Sequence, residues 1–379
     1  MLSCLPVDVI IGGGSNARFG NANLRVGEGS AGKYPTVVTT GSNVTAVVNV
    51  DGDYKYLGRL IVPFDSKGNV LENYFDFSRS DAYATSDNPT AGGVTPNSSI
   101  VALKDALLGL VTDLTGDVYG VTSVYLEGNR PMIRTEETNL GSLQADSMIW
   151  YAKAFDPSVS IALKNGGGIR ASIGQIVALP GSSETSKLPP SAITGVREQG
   201  EISALDIKTA FAFNNALALV TVSAQELQLL LEHGFRSLPS QEGVFPHMSG
   251  VSVSVDPSRE AGSRVRSLKV GADVVVSSGQ LQGDPEREFR VVTLTFLAGG
   301  GGGFPFPEGE SANRVDLSST VSNTLSSDPT FTDVGTEQDA FARYLRDGLA
   351  GQVFDKAETP PALDERILNL SVRSDTVLQ

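Results

Sequence analysis

The sequence predicts an α/β fold (mixed α+β) with one large domain that follows a smaller β-rich region. β-Branched segments separated by turn residues alternate with amphipathic helical segments, which is typical of a protein containing both sheets and helices. A polar stretch at residues 72–99, rich in Ser, Asp, Asn, Gly and Pro, interrupts this pattern and predicts a loop or linker. With 379 residues, of which 40% are apolar, the chain can bury a large core without disulfide bonds.

The N-terminal region is expected to consist of short strands and turns. An apolar run at residues 7–11 ends in three glycines, which suits a buried strand entering a tight loop. Further β-branched segments, separated by turn sequences, lie at residues 36–40, 44–50 and 57–64.

Helices and strands alternate in the rest of the chain. A helix capped by Ser98 or Ser99 is expected to end near Leu114, and a second helix to cover residues 141–155. Ser223 and Glu226 form a capping-box sequence before a leucine-rich segment, and another helix begins at Thr336. Strands are predicted between these helices at residues 216–222, 251–255 and 289–296.

Charge and residue counts exclude several classes of function. The formal net charge of −14 disfavours binding to nucleic acid, because such a surface repels a phosphate backbone. The single cysteine, Cys4, excludes an internal disulfide bond, and two histidines, His233 and His247, are too few for a His-rich metal centre. No apolar run is long enough for a membrane span, and residues 1–6 lack the features of a signal peptide.

Three segments carry residues suited to ligand binding. In the segment 165–170, three glycines allow close approach of the backbone, and an arginine follows that can bind phosphate or carboxylate; a glycine-rich turn explains it equally well. The segment 211–215 combines phenylalanines with two amides, which suits a planar base, although core packing alone explains it better. The segment 295–304 leads from an apolar strand into five glycines, which indicates a ligand-binding loop or a linker.

Together these segments resemble the 5'-nucleotidase family. Residues 134–148 resemble the entry to the family's C-terminal domain, and residues 165–170, 213–215, 245–250 and 295–304 follow in the family's order. The resemblance covers about residues 120–370 and implies an α/β domain that captures a nucleotide. The residues implied to contact phosphate and ribose are Arg134, Asn165 and Arg170. The residues implied to hold the base are Phe213 and Phe296 by stacking, Asn215 at the base edge and Gly250 in the pocket lining.

The sequence departs from the family at two places. An acid that holds the ribose hydroxyls in the family is replaced by Gly302. Residues 7–16 resemble the last motif of the family's metallophosphoesterase domain, but Gly14 and Asn16 stand where the family has histidines that serve its two divalent metals. No cofactor is therefore identifiable in this sequence. The expected organisation is a β-rich remnant of that domain at 1–95, a linker helix at 96–115, and the substrate-binding domain at 116–379.

Three hypotheses follow. The first is a nucleotide-binding protein of this hydrolase family in which phosphatase activity is weak or lost. The second is a metal-independent ester hydrolase with His247 as base and Ser15 or Ser249 as nucleophile, since a serine needs a base within hydrogen-bond reach. The third is a non-catalytic module that forms homo-oligomers through the N-terminal region, whose sheet edges need covering. Members of the family are largely periplasmic or extracellular in bacteria, but no export signal is recognised in this sequence, so it predicts no location.

Overall fold

The computed structural model describes residues 7–13, 18–21, 29–41, 43–50, 55–85, 97–178, 185–320, 322 and 324–379. The chain divides into two compact units, Met1–Lys104 and Asp105–Gln379. Both helices and sheets are present, so the predicted mixed α/β class is confirmed.

The described residues of the first unit contain five short strands. Its strands are β1 (Val9–Ile11), β2 (Thr36–Thr40), β3 (Asn43–Val48), β4 (Tyr56–Arg59) and β5 (Asp81–Ala84). The central strand β3 pairs in parallel with β1 and antiparallel with β2, while β4 and β5 form an antiparallel pair. β5 corrects the sequence prediction, because it lies inside the polar stretch that was predicted as a loop. Its partner β4 ends at Arg59, whereas the predicted strand extended to Phe64.

Seven α-helices are present among the described residues. They are α1 (Ser98–Gly116), α2 (Arg130–Ile133), α3 (Asn139–Ala152), α4 (Ala204–Ala210), α5 (Ala224–Phe235), α6 (Thr295–Ala298) and α7 (Glu337–Arg343). The capping box predicted for α5 is confirmed: Ser223 Oγ accepts from the backbone N–H of Glu226, and the Glu226 carboxylate accepts from the backbone N–H of Ser223. In the part of the chain that the structure describes, no helix is both long and apolar enough to cross a membrane.

Two five-stranded sheets organise the second unit. Its strands are β6 (Val118–Val121), β7 (Val159–Asn165), β8 (Gln175–Ala178), β9 (Thr185–Leu188), β10 (Glu201–Ser203), β11 (Leu217–Ser223), β12 (Pro246–Ser249), β13 (Val251–Val255), β14 (Val265–Val270), β15 (Asp273–Ser277), β16 (Gln280–Leu281), β17 (Glu288–Leu294), β18 (Val315–Asp316) and β19 (Ile367–Asn369). The first sheet has the order β12-β7-β17-β11-β18 and the second has the order β16-β15-β14-β13-β19. Two further pairs, β6 with β10 and β8 with β9, complete the strands.

The core lies around the first sheet. The interior strand β11 is mostly apolar and buried, which is typical of a strand covered on both faces. The apolar face of α5, which includes Leu227, Leu230 and Phe235, is buried in the same cluster as β11 and β14. A second cluster joins α3, α4 and α7. These helices therefore hold the sheet, and the loops at its edges, in fixed positions.

Candidate functional site

Four loops meet at one edge of the first sheet because of its strand directions. β7 and β17 are parallel neighbours, so the glycine segment after Asn165 and helix α6 after β17 emerge at the same edge. β11 is antiparallel to β17, with Leu217 opposite Leu294, so the turn before β11 reaches this edge too. β12 is antiparallel to β7 and begins opposite Asn165, which brings the loop before β12 to the same place.

A cavity of about 410 Å³ lies where these loops meet. Two of its walls are the aromatic rings of Phe213 and Phe296, which are 61% and 50% exposed. Half-exposed rings of this kind offer flat apolar faces to a planar ligand. The full lining is Asn165, Gly167, Gly168, Phe213, Asn215, Arg236, Gly243, Val244, Phe296 and Gly302. Arg236 is the only charged residue in that lining, so the cavity presents no carboxylate to a ligand.

Three neighbouring arginines have no anionic partner among the residues that the structure describes and are here called the arginine cluster. Its members are Arg130, Arg134 and Arg170. Burial lowers the pKa of Arg134, and the nearby guanidinium groups of Arg130 and Arg170 lower it further. The Nε atom of Arg134 is buried and has no hydrogen-bond partner. No carboxylate among the described residues pairs with any of the three. Unpaired guanidinium groups held close together provide a site for an anion.

The arginine cluster adjoins the cavity through two contacts. The guanidinium carbon of Arg170 lies 5.5 Å from the centroid of the Phe213 ring. Arg134 donates to the carbonyl oxygen of Gln241 at 3.3 Å, two residues before the lining residue Gly243. The arginines and the two phenylalanines singled out in the sequence are therefore brought together around a single cavity.

Two asparagines supply polar groups to the cavity wall. Asn165 Nδ2 donates to the carbonyl oxygen of Gly243 at 2.9 Å, while its Oδ1 is buried without a partner. Asn215 Nδ2 donates to Glu337 Oε1 at 2.9 Å, and the backbone N–H of Asn215 donates to the same oxygen at 2.8 Å. The Glu337 carboxylate thus holds Asn215 in one orientation.

Gly250 does not line the cavity, which corrects the expectation from the sequence. It follows the end of β12, whereas the cavity adjoins the beginning of that strand. Gly250 has a φ of +81°, and a Cβ atom there would lie 1.9 Å from the carbonyl oxygen of Ser160. Its role is to let the chain turn from β12 into β13 against a neighbouring backbone.

His247 and Ser249 do not form a catalytic pair, which corrects the second hypothesis. The His247 ring is buried, and its Nε2–H donates to the carbonyl oxygen of Ile133 at 2.8 Å. Its Nδ1 has no partner, and burial lowers the pKa of His247 to about 4. The hydroxyl of Ser249 donates instead to Asp146 at 2.7 Å. The third candidate of that hypothesis, Ser15, lies outside the described residues, as do Gly14 and Asn16.

Comparison with known proteins identifies the relatives of this chain. The family model "5'-nucleotidase, C-terminal domain" matches residues 118–308, which is half of the chain. The chain belongs to the 5'-nucleotidase family. The 5'-nucleotidase of Homo sapiens is 29% identical over 310 residues, which cover 79% of this chain and 48% of that protein. Snake venom 5'-nucleotidase of Gloydius brevicauda is 28% identical over 317 residues, covering 81% and 48%. The chain spans about half the length of these curated relatives.

A solved structure shares the fold of this 5'-nucleotidase family member. The crystal structure of the 5'-nucleotidase precursor from Thermus thermophilus aligns with a TM-score of 0.61 and 29% identity, covering 96% of this chain and 60% of that one. The predicted resemblance to the 5'-nucleotidase family is therefore confirmed.

Gly14 and Asn16, which stand at positions that the 5'-nucleotidase resemblance assigns to metal-site histidines, lie outside the described residues. No group of three or more His, Cys, Asp or Glu side chains among the described residues is placed to hold a metal ion. Both histidines have other partners: His247 is bound to Ile133, and His233 contacts the carbonyl oxygen of Gly302 at 2.9 Å.

Four residues of the site in this 5'-nucleotidase family member are not predicted by the sequence motifs. They are Arg130, Lys164, Arg236 and Glu337. Lys164 interrupts the apolar strand β7, and a charged residue inside a buried strand is a signal that could have marked it. Glu337 carried no such signal, because its partner lies 173 residues away in the chain.

Proposed function

We propose that this chain is the nucleotide-binding part of a 5'-nucleotidase-family hydrolase and that a nucleotide or nucleoside-like molecule occupies the 410 Å³ cavity. The observation that carries the proposal is the contact of Arg170 with Phe213, which joins an anion-binding cluster to a pair of aromatic walls. A phosphate and a planar base are the two parts of a mononucleotide that such neighbouring surfaces bind.

The chemistry of the lining supports this ligand. Stacking of a base on an aromatic side chain contributes about 1–3 kcal/mol and tolerates different bases. The arginine cluster provides guanidinium groups that donate to phosphate oxygens. Because the whole chain carries a net charge of −14, this local positive charge is what allows an anionic ligand to bind.

The proposal includes weak or absent phosphatase activity for this chain. Two-metal hydrolysis needs several nitrogen and oxygen ligands per ion in fixed geometry. Gly14 and Asn16 cannot supply the imidazole nitrogens that the resemblance places at their positions. Homo-oligomerisation through the N-terminal region stays a prediction, which light scattering over a range of concentrations tests.

Isothermal titration calorimetry with AMP, adenosine and a UDP-sugar tests binding. We expect heat of binding with at least AMP, and no heat with any of the three at millimolar concentration would overturn the proposal. A hydrolysis screen on phosphate and carboxyl esters, with and without added Mn²⁺ or Zn²⁺, tests the second part. Metal-restored turnover of AMP at rates usual for enzymes would contradict it.

A further inference from the structure

Asn215 is fixed by three hydrogen bonds with one residue of α7. The backbone N–H of Glu337 donates to the carbonyl oxygen of Asn215 at 2.8 Å. Glu337 Oε1 in turn accepts from both the backbone N–H and the side-chain Nδ2 of Asn215. A carboxylate only accepts hydrogen bonds, so the amide nitrogen, not the amide oxygen, must face Glu337. The orientation of the amide therefore follows from the chemistry of its partner.

The partner is itself held by a buried charge. The other carboxylate oxygen of Glu337 accepts from the ammonium group of Lys164, and both side chains are fully buried. Gln144 Nε2 donates to the backbone oxygen of Glu337 at 3.2 Å, and the Lys164 ammonium lies 5.1 Å from the centroid of the Phe211 ring. A buried ion pair contributes little net stability, because removing two charges from water costs about as much as their attraction returns. The ion pair instead favours a single orientation of the Glu337 carboxylate.

This arrangement decides what Asn215 offers to the cavity. An amide nitrogen carries one N–H on the Cβ side and one on the Oδ1 side. Glu337 Oε1 also accepts the backbone N–H, which places it on the Cβ side. Oδ1 and the N–H beside it are left for a ligand, and no group among the residues that the structure describes donates to Oδ1. This acceptor–donor pair matches the edge of a nucleobase on which a donor stands beside an acceptor.

We infer that Glu337, held by Lys164, is a positioning residue that makes Asn215 select bases carrying a hydrogen-bond donor beside an acceptor. The inference rests on the proposed function, because it concerns the ligand of the same cavity. A base that lacks the donor leaves Oδ1 desolvated and unpaired, which weakens binding about 10-fold or more.

Calorimetric titration with AMP and with purine riboside 5'-monophosphate, which lacks only the exocyclic amino group, tests the inference. The wild-type chain is expected to bind AMP at least about 10-fold more tightly. Binding of neither ligand would mean that the proposed function has failed. Equal binding of both ligands would overturn this inference alone.

Two double variants then test Glu337 itself. In K164M/E337L the acceptor for Asn215 is lost, and the ratio of the two affinities is expected to fall to about one, with the affinity for purine riboside 5'-monophosphate changed less than about 3-fold. K164M/E337Q is the matched control, since the glutamine oxygen still accepts from Asn215 and the ratio is kept. A ratio kept in K164M/E337L, or lost equally in both variants, would contradict the inference.

A third variant leaves the buried pair in place. Asn215→Leu removes the side-chain amide at a half-buried position, so it tests the same contact if the double variants do not fold. We expect the ratio of affinities to fall to about one. A ratio that stays at 10-fold or more would show that Asn215 does not select the base.

Discussion

The guanidinium group of Arg170 lies over the aromatic face of Phe213, with 5.5 Å between its central carbon and the ring centroid. Arg170 also donates to the carbonyl oxygen of Gly167 at 3.4 Å. One side chain thus contacts both the glycine segment after β7 and the aromatic wall that precedes β11. The arginine cluster and the aromatic wall of the cavity are joined at this contact.

Replacing Arg170 distinguishes the contribution of the phosphate to binding from that of the nucleoside. Arg170→Ala is expected to lower the affinity for AMP by roughly 10- to 150-fold, because a hydrogen bond to a charged group contributes about 1.5–3 kcal/mol. The affinity for adenosine, which has no phosphate, should fall by less than about 5-fold, because an exposed cation–π contact contributes at most about 1 kcal/mol. Calorimetry with both ligands measures the two losses. Arg259→Ala, which removes an exposed arginine paired with Asp256, is the control. Equal losses for the two ligands would argue against a phosphate contact.

Removing either aromatic wall should weaken binding without unfolding the protein. Phe213→Ala and Phe296→Ala are each expected to cost about 1–3 kcal/mol of binding free energy, which is roughly 5- to 150-fold. Because both rings are half exposed, the melting temperature should change little. Binding is measured by calorimetry and stability by circular dichroism. Leu229→Ala, at an exposed position on α5, is the control, and unchanged affinity in both phenylalanine variants would exclude stacking.

Two helix glycines should respond in opposite ways to alanine. A Cβ atom at Gly141 in α3 would lie 2.0 Å from Nδ1 of His247, so Gly141→Ala is expected to destabilise by about 1–3 kcal/mol or more. Gly109 in α1 has no atom within 4 Å of the same position, and Gly109→Ala should stabilise by about 0.5–1 kcal/mol. Urea unfolding of both variants measures these changes. A neutral effect of Gly141→Ala would mean that His247 is not packed against α3.

Acid should destabilise the protein through His247. Its pKa is lowered to about 4 by burial, whereas an unfolded histidine titrates near 6.5, so the unfolded state binds more protons between these values. The contribution of His247 to the free energy of unfolding is therefore fully present above pH 6.5 and is lost as the pH falls toward 4. Between pH 7 and pH 4 the loss amounts to about 3 kcal/mol.

The variant His247→Gln isolates this effect. Glutamine can donate to the Ile133 carbonyl but does not titrate, so the stability difference between variant and wild type should move in favour of the variant by about 3 kcal/mol from pH 7 to pH 4. Urea unfolding at both pH values measures it. A difference that does not change with pH would mean that His247 titrates normally in the folded chain.

Local signals in the sequence predicted most elements of the fold. The capping box at Ser223 placed the start of α5, and β-branched residues placed β2 with its observed bounds. The strand predicted at 289–296 was too long, because the backbone turns into helix α6 after Leu294. Phe296 points from that helix and not from the strand, and the local apolar pattern is the same in both cases.

The candidate site could be predicted only where its residues form motifs. Phe213 and Asn215 stand close together in the chain, whereas Lys164 and Glu337 are 173 residues apart and meet only in the folded structure. The lysine inside the apolar strand β7 is itself a signal, but a single sequence does not show that its partner is Glu337. Gly250 belongs to a motif that the sequence does reveal, yet it lies away from the cavity. It follows the end of β12, whereas the cavity adjoins the beginning of that strand.

The arginine cluster also governs how a ligand approaches. Far from the surface, a phosphate senses the net charge of −14 and is repelled, whereas close to the guanidinium groups it is attracted. At an ionic strength of 0.1 M these fields decay over about 10 Å, so added salt removes the distant repulsion before it weakens the contacts at the cavity. The association rate constant for an anionic ligand therefore rises with salt at low ionic strength, opposite to the behaviour of a positively charged receptor.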